Sequence, residues 1–168
     1  MKKVLTIIVA AVMASVFLNV AAYAGGSATP QEVIQKVKEA AAYLSKKGEA
    51  GLAEFNKKGT KWVWKDTYIF VYRCDKGVVA AHPIKPKLVG KNLMGLKDIK
   101  GNMLFVQLCD ASKNPKGGWV EYWWPKPGEK KPSRKISYIL QVPGQPYQVA
   151  AGIYNDKISV DDLNQMIK

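Results

Sequence analysis

The chain has 168 residues and a formal net charge of +13, with 26 Lys and Arg against 13 Asp and Glu. This length accommodates one domain plus a leader. The only arginines are Arg73 and Arg134, and recognition of phosphates and bases favours the guanidinium fork over lysine. The composition therefore argues against a nucleic-acid-binding protein. The lysine-rich surface favours anionic partners such as lipid head groups, acidic polymers or small carboxylates, or it is simply solvated.

The N-terminus has the pattern of a secretory signal peptide over residues 1–24. Lys2 and Lys3 precede an apolar stretch, and the stretch is followed by an A-x-A cleavage site at residues 22–24. We expect cleavage after Ala24, export to the periplasm, and a single mature domain over residues 25–168 without a transmembrane segment. The alternative is an uncleaved anchor, because residues 4–20 approach the ~20 residues that span a bilayer.

A long helix is predicted at the start of the mature chain. Thr29 can cap it, Pro30 suits the first helical position, and Glu32 completes a capping box. Apolar residues then recur on one face, and Gly48 ends the helix. A short second helix is predicted over residues 49–56.

The rest of the chain alternates strand patterns with loops. Strands are predicted over residues 67–74, 78–82, 118–124, 135–142 and 147–154, with a loop over 84–102, a helix over 103–112 and a closing helix from Ser159 to Ile167. This order predicts an α+β fold in which helices cover one antiparallel sheet. A sheet of that kind needs only one face for its core, so the aromatic run at residues 119–124 is a surplus of apolar surface.

The mature chain contains two cysteines, Cys74 and Cys109. In an oxidising compartment such a pair usually forms a disulfide, which here would close a loop of 35 residues. Two buried free thiols are the alternative, because the sequence does not give the separation of the two Cα atoms.

Seven segments in order carry a family resemblance over residues 67–156. They are TYIFVY, GVVAAHP, LVGKNLMGLKDIKG, GGWVEYWWPKPG, KISY, VPG and AAGIYND. Together they resemble the single Cache domain family, the extracytoplasmic PAS-like sensor modules of bacterial chemoreceptors and sensor kinases. The resemblance implies a long N-terminal helix packed on a central five-stranded antiparallel PAS-like sheet. Receptors of this family continue into a transmembrane helix, whereas this chain stops at Lys168, so we expect a free-standing exported form.

The resemblance also implies a function and a site. The expected function is to bind a small molecule, a short organic acid or amine and on charge grounds an anion, and to relay its presence to a membrane chemoreceptor or histidine kinase. The expected pocket residues are His82, Tyr122, Trp124, Lys135 and Tyr138, with the lysine facing a carboxylate. Regular alternation places Lys135 and Tyr138 on opposite sheet faces, so one of them is misassigned or a bulge intervenes. The alternative is that these aromatics only pack the core.

Other classes of function find little support in the sequence. His82 is the only histidine, and neither a zinc-ligand spacing nor a nucleophile elbow is present. We therefore expect no metal, no cofactor and no enzymatic activity. The rival hypothesis is an exported cell-wall or polysaccharide-binding module, in which exposed Trp62, Trp64, Trp119 and Trp123 would stack on sugar rings.

Overall fold

A computed structural model of the chain describes residues 26–168. The predicted signal peptide over residues 1–24 lies outside the described residues. Among residues 26–168, no helix combines the length and the hydrophobicity needed to cross a bilayer.

The long helix α1 (Pro30–Lys47) begins and ends where the sequence predicts. The Thr29 side chain accepts a hydrogen bond from the Glu32 amide, and the Glu32 carboxylate accepts one from the Thr29 amide at 2.8 Å. Gly48 ends the helix with a positive φ of 55°. A 3₁₀ turn (Gly48–Gly51) and the short helix α2 (Leu52–Phe55) follow, within the segment predicted to be helical.

A separate hairpin of β1 (Val63–Trp64) and β2 (Thr67–Tyr68) precedes the central sheet. The sheet has five strands: β3 Phe70–Arg73, β4 Val78–Ala81, β5 Gly118–Pro125, β6 Pro132–Gln141 and β7 Gln148–Tyr154. They are antiparallel and lie in the spatial order β4-β3-β7-β6-β5. This is the predicted α+β fold. The strand predicted over residues 67–74 is divided into β2 and β3.

Helices cover the sheet on both faces. Helix α1 packs on one face over a core that includes Trp119, Ile136 and Tyr138. Helix α3 (Leu104–Ser112) packs on the other face with Val120 and Tyr122. The expectation that one face alone would supply the core is therefore wrong. The aromatic run in β5 is not surplus, because its alternate residues serve two cores.

A disulfide ties helix α3 to the sheet face that this helix covers. Cys74, directly after β3, is bonded to Cys109 in α3, with the Cα atoms 5.7 Å apart. The loop of residues 83–103 between β4 and α3, which we call the cover loop, also packs on this face and contains one 3₁₀ turn (Pro86–Leu88). The predicted disulfide is thus present, and the alternative of two free thiols is not.

Side chains from elsewhere bond to the outer edge of β5. Asp98, in the cover loop, accepts a hydrogen bond from the Trp123 amide at 2.8 Å. Asn164, in the closing helix α4 (Val160–Gln165), accepts one from the Trp119 amide at 3.1 Å. The cover loop and α4 are therefore both fixed to this edge strand.

Candidate functional site

The register of the sheet brings polar and aromatic residues together on the face that α3 covers. Tyr122 of β5 pairs with Lys135 of β6, and Lys135 pairs with Tyr154 of β7. Directly paired residues point to the same face. Three neighbouring strands therefore place Lys135 between Tyr122 and Tyr154 on one face of the sheet.

Lys135 is buried among aromatic rings. Its Nζ lies 4.2 Å from the centroid of Tyr68, 5.2 Å from that of Tyr154 and 5.6 Å from that of Phe70. Cation–π contacts at these distances stabilise an ammonium. Within residues 26–168 Nζ has no hydrogen bond and no ion pair. We call Lys135 with Tyr68, Phe70 and Tyr154 the lysine cage.

Burial lowers the pKa of the Lys135 ammonium to about 7, with the negative charge of Asp66 acting against that shift and Lys85 adding to it. Burial likewise raises the pKa of the cage tyrosines Tyr68 and Tyr154, so both phenols stay neutral. The cage therefore holds a charge that its own residues solvate incompletely, and an anion beside Nζ would relieve that cost.

His82 lies beside the cage as a neutral donor. Its Nδ1 accepts a hydrogen bond from the Lys85 amide at 3.0 Å, which places the proton of a neutral ring on Nε2. Burial, followed by the charges of Lys135 and Lys85, lowers the pKa of His82 to about 3. The ring lies 4.9 Å from Tyr68 and 6.5 Å from Trp124.

A small cavity opens between this sheet face and α3. It holds about 10 Å³, the space for a single water molecule. Its lining consists of six aromatic rings and one leucine: Tyr68, Phe70, His82, Leu104, Phe105, Tyr122 and Trp124. The Tyr122 hydroxyl is bonded to the Ser137 hydroxyl at 2.7 Å, which fixes one wall of the cavity.

The structure brings four of the five predicted site residues together. His82, Tyr122 and Trp124 line the cavity, and Lys135 lies behind it against Tyr68 and Phe70. Tyr138 is separated from them, because β6 is regular at this point and no bulge turns its side chain. It packs on Trp119 under α1, and its hydroxyl donates to the Lys116 carbonyl at 2.7 Å.

Sequence reasoning missed the other three members of the lysine cage. Tyr68 and Phe70 lie in the first strand segment, and Tyr154 lies in the GIY segment at the end of β7. The sequence predicts both segments as strands. The signal that pairs them with Lys135 is the strand order, in which β7 lies between β3 and β6.

The four tryptophans proposed as a sugar-stacking surface do not form one. Trp62 and Trp119 are only 2% and 3% exposed, and Trp64 and Trp123 are half-buried. Trp62 packs on Phe55 and Trp119 on Tyr138. Their burial removes the geometric basis of the wall-binding hypothesis. Among the described residues there is also no group of three or more metal-ligating side chains.

The chain belongs to the Cache domain family, whose sequence profile matches residues 52–159. Cache domains are extracytoplasmic sensor domains that bind small molecules rather than catalyse reactions. The matched segment begins at α2 and ends just before α4, so it includes the whole sheet and both walls of the cavity.

Three comparisons define the relationship more closely. The chain is 31% identical over 85 residues to the methyl-accepting chemotaxis protein McpP of Pseudomonas putida, and this match covers 51% of the chain and only 16% of that protein. A methyl-accepting chemotaxis protein from Vibrio parahaemolyticus has a similar crystal structure, with a TM-score of 0.57, 28% identity and coverage of 77% of this chain and 82% of that one.

A Cache chemosensory domain described for its carboxylic acid recognition gives a TM-score of 0.58 at 27% identity, covering 73% of this chain and 86% of that one. The chain is therefore a sensor domain homologous to the periplasmic domains of chemotaxis receptors.

Proposed function

We propose that the chain is exported to the periplasm, that it binds a short carboxylate at the lysine cage, and that it relays the bound state to a membrane chemoreceptor or histidine kinase. Lys135, His82, Tyr122 and Trp124 form the binding site in this proposal. The observation that carries it is the Lys135 ammonium, which is buried without an anionic partner in the described part of the chain.

The chemistry of the site selects an acid over an amine. Lys135 and the Nε2–H of His82 are both donors, and a carboxylate accepts from both. A protonated amine would instead be repelled by the lysine charge. The aromatic walls match the small apolar body of a short-chain acid.

The size of the cavity links binding to movement. About 10 Å³ is less space than any carboxylate occupies, so a ligand displaces part of the wall. Trp124 is half-buried. The cover loop is joined to β4 by a few backbone hydrogen bonds and two isolated bridges, and to β5 through Asp98, rather than by a continuous sheet ladder. An outward shift of this wall is the physical event that a receptor or kinase would read.

Three of the relatives support the ligand class and the relay. One structural neighbour is a domain described for carboxylic acid recognition, and the sequence relative and another neighbour are chemotaxis proteins. The match covers 16% of the sequence relative, and our proposal assigns the signalling output to a membrane partner.

A calorimetric panel tests the ligand class directly. Acetate, propionate, lactate and pyruvate are titrated into the mature protein, with acetamide and propylamine as uncharged and cationic counterparts of similar size. We expect heats of binding and a raised melting temperature for the acids only. Stabilisation by the amine in place of the acids would overturn the proposal, and so would the absence of binding across the whole panel.

A further inference from the structure

A second, larger concavity opens on the surface beside the lysine cage. It has a volume of about 660 Å³ and lies between the N-terminal segment, the β1–β2 turn and the loop that joins β5 to β6. We call it the basic cleft because Lys58, Lys65 and Lys126 line it, against the acidic Asp66 and Glu129.

Two of the three lysines in the basic cleft are available to an incoming anion. Lys65 is committed to Glu32, with Nζ 2.6 Å from the carboxylate. Lys58 and Lys126 form no ion pair with any of residues 26–168. Asp66 and Glu129 oppose these charges, and Asp66 also accepts a hydrogen bond from the Ala28 amide at 2.8 Å. With three lysines and two carboxylates, the lining has a formal excess of one positive charge.

The basic cleft and the lysine cage share a wall. Val63 and Ile84 line the cleft and also pack against the core cluster that contains the cavity. Lys126 from the cleft lies 5.8 Å from the Tyr154 ring, and Lys135 from the cage lies 5.2 Å from the same ring. One aromatic ring therefore separates a surface lysine from the buried one.

We propose that the basic cleft is the route by which a small anion reaches Lys135, and that Lys58 and Lys126 accelerate its arrival. This inference rests on the proposed carboxylate site and adds the path to it. Positive charge along a concave, low-dielectric wall concentrates anions and raises their association rate, and salt weakens the effect.

Chemical labelling of the Lys135 amine tests the route without requiring a bound ligand. Glyoxylate with cyanoborohydride labels an accessible amine with an anionic reagent, and formaldehyde with cyanoborohydride does so with a neutral one. Peptide mass mapping gives the labelling rate at Lys135 for each reagent. The ratio of the two rates cancels any change in the reactivity of the amine itself.

The test variant is Lys58→Glu combined with Lys126→Glu, and the control is Lys76→Glu combined with Lys157→Glu. The control pair is exposed, lies outside the cleft and changes the net charge equally. At low ionic strength we expect the glyoxylate-to-formaldehyde ratio at Lys135 to fall about three- to tenfold in the test variant and to stay unchanged in the control. In high salt the ratios of the test variant, the control and the wild type should become equal.

An equal ratio in the test variant and wild type, or no labelling of Lys135 by either reagent, would overturn the route. The result is separable from the proposed function. Carboxylate binding with a charge-independent labelling ratio contradicts only the route, whereas a charge-dependent ratio without carboxylate binding contradicts only the proposed ligand.

Discussion

Gly152 in β7 leaves the space that the side chain of Lys135 occupies. A β-carbon at position 152 would lie 2.8 Å from Cε of Lys135 and closer still to Oγ of Ser137. Both distances are shorter than van der Waals contact allows. The lysine cage therefore depends on an absent side chain in the neighbouring strand, as well as on the rings that surround the ammonium.

The first prediction concerns that space. Gly152→Ala forces Lys135 and Ser137 to move, and the new methyl group also meets the Ile136 carbonyl oxygen at 2.7 Å. We expect a loss of about 1–3 kcal/mol in the free energy of unfolding and weaker carboxylate binding, measured by urea denaturation and calorimetry. Gly59→Ala is the control, because nothing lies within 4 Å of its added carbon. Wild-type affinity in Gly152→Ala would contradict this account of the cage.

The second prediction is that Lys135→Met stabilises the folded protein and abolishes carboxylate binding. The folded protein holds the pKa of Lys135 at about 7, below the ordinary value of ~10.4. The charged amine therefore opposes folding fully below pH 7, and this cost fades as the pH rises towards 10. We expect the variant to be more stable by about 2–4 kcal/mol at pH 6 and by less at pH 10, while carboxylate binding is lost. A variant destabilised at pH 6 would show that the buried charge carries no such cost.

The third prediction is a pH dependence of affinity. A carboxylate favours the protonated lysine, so its dissociation constant should rise as the pH increases through 7 and binding at pH 8 should take up a proton. His82 stays neutral throughout because burial holds its pKa near 3, and Asp66 and Lys85 are the charged groups that act on Lys135. Titration calorimetry at pH 6 to 9 in two buffers measures both effects. A flat profile in the wild type would remove Lys135 from the site.

The fourth prediction separates two tyrosines on opposite faces. Tyr138→Phe removes the hydrogen bond to the Lys116 carbonyl, which should cost about 0.5–1.5 kcal/mol of stability and leave the dissociation constant unchanged. Tyr122→Phe removes the bond to Ser137 in the cavity wall and should weaken binding several-fold. Denaturation and calorimetry on the pair check this. Weaker binding in Tyr138→Phe together with unchanged binding in Tyr122→Phe would instead support Tyr138 as the ligand contact.

The fifth prediction concerns the disulfide that holds α3 on the sheet. Replacing Cys74 and Cys109 together by Ala opens a loop of 35 residues and should cost ~3–4 kcal/mol on the loop-entropy estimate. In urea denaturation, a reductant should lower the free energy of unfolding of the wild type by a similar amount. It should leave that of the double variant unchanged. Equal stability of the two proteins would show that the bond contributes little to holding α3.

Local patterns in the sequence predict most of the fold. Thr29 and Glu32 mark the start of α1, strand alternation places Tyr122 and Trp124 on one face, and it already opposes Lys135 to Tyr138. The pairing of Lys135 with Tyr154 depends on long-range strand order, which no local pattern contains. The role of Gly152 is also hidden, because a glycine in a strand has several possible causes.

The bonds at the outer edge of β5 limit how another protein can contact this domain. A free edge strand is a template for an additional strand from a second chain. Here Asp98 and Asn164 already accept the outward amides of Trp123 and Trp119. A partner is therefore directed away from strand addition at this edge and towards surfaces formed by side chains. The same two bonds also protect the domain against edge-to-edge aggregation.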